Sequence, residues 1–88
     1  MIHHISINPQ PLIRKIKNRE VVFAGNKKLK IYGVLSCSSG KRMKKENRVF
    51  FSSETEATKG GYRPCGNCLK IKYNDWKRKV SSQIFSHY

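Results

Sequence analysis

The sequence predicts a small α+β domain, a short and mostly antiparallel sheet flanked by short helices, on three observations. Runs rich in β-branched and aromatic residues are separated by turn residues. Apolar residues at helical spacing stand before and after those runs. The chain has 88 residues, fewer than the roughly 100 to 200 of an average domain, so a second domain, a TIM barrel and a doubly wound nucleotide-binding fold are all excluded. Residues 1–88 therefore form one domain, with its core expected over about 20–80 and flexible ends at 1–7 and 82–88.

Taken in order, Asn8-Pro9-Gln10-Pro11 reads as a cap with prolines in the first turn of a helix that continues to Lys17, with Leu12, Ile13 and Ile16 on one face. Glu20–Ala24 and Leu29–Tyr32 are expected to pair as a hairpin across the turn residues Gly25-Asn26-Lys27-Lys28. Arg48-Val49-Phe50-Phe51 is a third strand, and Phe23, Tyr32 and Phe50 are expected core residues. Ser53-x-x-Glu56 is a capping box that starts a short helix ending at Lys59-Gly60-Gly61. A last helix is expected to open at Cys65 and run to about residue 80, with Trp76 as a core anchor.

Nineteen Lys and Arg face five Asp and Glu, a net charge of +14, which points to a polyanionic partner. Lys41, Arg42, Lys44, Lys45 and Arg48 concentrate that charge in one loop, where lysine and arginine neutralise phosphates without reading bases. An acidic protein partner meets the same charge, so a basic protein-interaction module stays open beside DNA binding. No apolar run approaches the roughly 20 residues of a membrane span. The N-terminus lacks a charged segment followed by an apolar one, so a reducing, cytoplasmic location is expected. There, an odd number of cysteines with two as Cys65-Gly66-Asn67-Cys68 reads as metal ligands or a redox pair before disulfides, with metal favoured because no thioredoxin-type βαβ context is present.

Cys37 lies in a loop earlier in the chain and can close onto the same ion, giving a zinc site of Cys37, Cys65 and Cys68. The fourth ligand is open among His3, His4, His87, Glu46, Asp75 and water. No glycine-rich phosphate loop, carboxylate pair or Ser/His/Asp set is present, so hydrolase chemistry has no support.

The stretch from Val22 to Leu69 resembles the N-terminal zinc-binding domain of the Ada DNA-alkylation response proteins. The resemblance rests on Val22-Phe23-Ala24, Ile31-Tyr32 ahead of Ser36-Cys37, Glu46-Asn47 with Phe50-Phe51, Glu54-Thr55-Glu56-Ala57, and above all Gly61-Tyr62-Arg63-Pro64-Cys65-Gly66-Asn67-Cys68. It implies a DNA-repair and transcription-regulating module in which four cysteines bind one Zn2+ and one of them takes a methyl group from a methylphosphotriester in DNA. It assigns Cys65, Cys68 and Cys37 to three of those cysteines and places Arg63 near the zinc site or the DNA. The methyl-acceptor position falls on Gly33, which has no nucleophile. The resemblance therefore implies zinc and DNA-backbone binding without self-methylation, and the alternative is a methyltransferase-like acceptor that uses Cys37. The loop between Cys37 and Glu46 is one residue longer than the family pattern.

Overall fold

A computed structural model describes residues 1–37 and 43–86, with side chains through residue 80. Lys41, Arg42 and His87 lie outside the described residues.

The fold is α+β. In chain order it comprises β1 (Ile2–His3), α1 (Pro9–Lys17), β2 (Phe23–Asn26), β3 (Ile31–Val34), β4 (Arg48–Phe51), α2 (Glu54–Lys59), β5 (Arg63–Pro64) and α3 (Lys70–Ser86). The five strands form one sheet in the order β1-β4-β2-β3-β5. All pairs are antiparallel except β3 with β5, which run parallel.

Because successive strand residues point to opposite faces, β4 feeds two clusters. Val49 and Phe51 point to one face and pack with Tyr32, Ala57 of α2 and Tyr62; Phe23 and Leu69 close that cluster. Phe50 points to the other and packs with Leu12 of α1 and Val21. The rings of Phe51 and Tyr62 meet edge to face at 4.9 Å, and those of Phe23 and Tyr32 at 5.7 Å. Such pairs each contribute about 0.5–1.5 kcal/mol beyond their area.

The helices follow from local signals. Asn8 precedes Pro9 and Pro11, whose fixed φ suits a first turn. Leu12 and Ile16 face the sheet, but Ile13 is 51% exposed, so the apolar face of α1 is narrower than the three residues suggested. In α2 the Ser53 hydroxyl accepts from the Glu56 backbone N–H at 3.1 Å, the expected cap.

Elsewhere the structure corrects the sequence reading. The hairpin exists, but both of its strands end two residues later than expected, because Gly25 and Asn26 belong to β2 and the turn is Lys27–Lys30. Gly25 is kept in the strand by crowding: a Cβ there would stand 2.8 Å from the Phe51 ring and 3.0 Å from the Ile31 carbonyl oxygen. The Asn26 side chain makes the turn, its Oδ1 accepting from the N–H groups of Lys28 and Leu29. No strand was expected at the N-terminus, yet Ile2 pairs with Phe50 and His3 with Val49, which gives β4 a neighbour on its outer side. Helix α3 opens at Lys70, after a turn that contains the CxxC, and continues to Ser86. Trp76 is not a core residue: it is half-buried and lines a surface groove.

Candidate metal centre

All three cysteines are held against strand β3 by hydrogen bonds to its backbone. The Cys37 N–H donates to the Val34 carbonyl at 3.1 Å and turns the chain back after the strand. The Cys65 N–H donates to the Tyr32 carbonyl at 2.8 Å, an extension of the β3–β5 pairing, and the Leu69 N–H closes onto the Cys65 carbonyl at 3.0 Å. That turn brings Cys68 beside Val34. The three Sγ atoms all lie within 4.8 Å of one another, and Cys37 Sγ and Cys65 Sγ are 3.9 Å apart.

These distances suit a metal. Tetrahedral zinc with Zn–S bonds of about 2.3 Å requires sulfurs roughly 3.8 Å apart. None of the three cysteines is in a disulfide, and their soft sulfur donors match zinc, so the residues present fit the ion. Backbone groups of a turn and of a strand reach the sulfurs. The Asn67 N–H donates to Cys65 Sγ at 3.4 Å, and the Val34 backbone hydrogen bond favours the Cys68 thiolate. Without metal, burial outweighs that bond and, with the nearby Cys37 and Cys65 thiols, pushes the Cys68 thiol up to about 11. Metal coordination would deprotonate it outright.

Gly33 faces this cluster. A Cβ built on it would stand 2.6 Å from Cys68 Sγ, 3.3 Å from the Cys65 Cβ and 4.0 Å from the Cys37 Cβ. Among the described residues no histidine or carboxylate joins the three thiols. His3 and the turn His4–Ser6 belong to the β1 edge, whereas the cysteines adjoin β3 and β5 at the other. Glu46 sits in the turn Lys45–Asn47 that packs against His4–Ser6. Asp75 is engaged by Arg78.

The basic residues converge in a different way from the loop the sequence suggested. Arg48 is level with Asn26 on β2, Asn26 with Ile31 on β3, and Ile31 with Arg63 on β5. Arg48 and Arg63 therefore share one end of the sheet, three strand spacings or about 14 Å apart. Lys44 and Lys45 lie just before β4 at that end. Between the two arginines stands the hairpin turn, with Lys27, Lys28 and Lys30 exposed. Sequence reasoning missed these three lysines; their crowding into one tight turn of a +14 chain was the available signal.

Arg63 packs its guanidinium over the Tyr73 ring at 5.2 Å and the Trp76 ring at 5.4 Å, and its Nη1 donates to the Pro64 carbonyl at 3.0 Å. It thereby joins α3 to the strand that leads into Cys65. The groove beside it, about 580 Å³, carries Lys30, Lys72 and Lys79 together with Trp76. Glu54, which also lines it, is held below the usual carboxylate range chiefly by its hydrogen bond to Lys72. Tyr32 in the same groove is pushed up to about 12, first by burial and then by its hydrogen bond to Glu54.

The model of the family described as the metal binding domain of Ada matches residues 12–70. No curated protein matches the chain, and no solved structure does.

Proposed function

Since the chain belongs to the family of Ada metal-binding domains, we propose that it is a zinc module that binds the phosphate backbone of DNA and does not accept methyl groups. The chain binds a single Zn2+. Cys37, Cys65 and Cys68 are its ligands in this reading, and the ion fastens the end of β3, the turn after β5 and the start of α3 to one point. Bound zinc supplies Lewis acidity and neutralises thiolate charge; the chain's own residues supply everything else.

The observation that carries DNA binding is the shared basic end of the sheet. Lys44, Lys45 and Arg48 on one side, Lys27, Lys28 and Lys30 in the middle and Arg63 on the other can meet successive phosphates, and Lys41 and Arg42 add charge to the same loop in sequence. Such contacts position a protein on nucleic acid without selecting a sequence. Methyl transfer finds no support at the acceptor position, because Gly33 carries no sulfur. Cys37 is 9% exposed, which disfavours in-line approach of a phosphotriester to its sulfur. A role in repair or transcription would therefore be exercised through binding. No helix among the described residues is long and apolar enough to cross a membrane, and three cysteines outside any disulfide suit the reducing cytoplasm we assign to the protein.

Titration of a fluorescent duplex with the zinc-loaded chain at several salt concentrations tests this function. The expected affinity is independent of sequence, and log K falls linearly with log salt by about 0.9 per phosphate neutralised. No binding to duplex at low salt would reject the reading, and capture of acidic proteins in its place would favour the interaction module.

A further inference from the structure

We infer that the zinc keeps one coordination position for a donor from solution, and that a small thiolate is the donor this site fits. The inference rests on the zinc site already described. Zinc in protein sites takes four ligands, and the described residues bring three to one point. None of the described residues supplies a fourth: the position that faces the cluster from β3 is Gly33, whose hydrogen offers no donor. The remaining candidates among the described residues are held elsewhere, His3, His4 and Glu46 at the β1 edge of the sheet and Asp75 in its pair with Arg78.

Space for an outside ligand is present at the same place. A cavity of about 120 Å³ is lined by Gly33, Cys37 and Cys65 together with Met43, Asn26 and Ile31. At ~30 Å³ per water this holds a few waters or one short-chain thiol. The chemistry selects sulfur. Soft thiolates are preferred partners of a zinc that already carries three, and the thioether of Met43 with its apolar neighbours suits a short alkyl chain. A fourth thiolate would bring the site to a charge of −2, which a chain of +14 offsets. On entry the thiol forms one metal–sulfur bond, its proton passes to solvent and a water leaves.

The test uses the full chain with cobalt(II) in place of zinc, titrated with 2-mercaptoethanol while the thiolate-to-cobalt charge-transfer band is followed. The band is expected to grow by about one third, saturably, as three sulfurs become four. Gly33→Cys is expected to show the larger band before any thiol is added and no response afterwards; its Cβ would stand 2.6 Å from Cys68 Sγ, so the Cys68 side chain must shift to admit it. A wild-type band that saturating thiol leaves unchanged overturns the inference, because a protein group then fills the position. A band that bleaches overturns it as well, because the thiol then strips the metal. Both results leave the metal module intact, whereas failure to bind cobalt one to one rejects the module itself. Should Gly33→Cys not load metal, the wild-type titration decides alone.

Discussion

At the scale of single residues, two positions show how tightly the sheet is specified. Gly25 lies against Phe51 and Tyr62, and a methyl group there meets the Phe51 ring at 2.8 Å and a carbonyl oxygen at 3.0 Å. Gly25→Ala is expected to cost about 1–3 kcal/mol, read as a lower denaturant midpoint with an unchanged slope. An unchanged midpoint would mean that the aromatic cluster gives way freely. His4 makes a different point. Its ring packs edge to face on Phe50 at 5.2 Å, and burial, then the charges of Lys45 and Arg48, hold its pKa below 6.5. The unfolded chain thus takes up this proton first as pH falls. Stability should decrease from about 6.5 down to the lowered native value and level off below it. His4→Gln removes that component, so the stability difference between variant and wild type should shift in the variant's favour from about pH 8 to about pH 5. Parallel curves would contradict the placement of His4 among these cations.

At the scale of elements, the hairpin turn is the part of the basic surface that only the fold reveals. Lys27, Lys28 and Lys30 lie between Arg48 and Arg63 because β2 and β3 are the two strands that separate β4 from β5. Replacing Lys27 and Lys28 with alanine should weaken duplex binding and lower the salt slope by up to about 0.9 for each phosphate no longer neutralised, without moving the melting temperature of the zinc form, whereas Lys30 also packs over the Tyr62 ring at 4.8 Å. An unchanged slope would place the DNA on another surface. The same elements show what was legible beforehand. Strand β4 and the cap of α2 could be read directly, since Arg48–Phe51 is bounded by polar residues and Ser53 and Glu56 interact locally. The hairpin was legible in kind but not in register, because Gly25 and Asn26 look like turn residues until the Phe51 ring is laid over Gly25. Strand β1 carries no local signal in two residues; pairing with β4 alone defines it. Trp76 has the composition of a core anchor, but its indole is used at the surface to seat Arg63. The three thiols, with Cys37 28 residues before Cys65, were legible as a set because zinc accounts for a CxxC and a third cysteine in so short a chain.

At the scale of the whole molecule, two small apolar clusters on opposite faces of a five-stranded sheet hold a chain of +14 charge together. A core of this size is marginal, and self-repulsion of the charge weakens it further. Structural zinc contributes about 10–16 kcal/mol of apparent binding energy in comparable small domains, enough to decide whether the chain folds. Serine in place of Cys37, Cys65 or Cys68 should therefore cost more metal affinity than the roughly 10- to 100-fold expected for an outer-shell partner, read by competition with a chromogenic chelator. The most direct measurement is native mass spectrometry of the purified chain before and after a chelator. The account predicts one zinc per chain, lost on chelation together with the compact charge-state distribution. A chain that stays compact with no zinc bound would contradict it.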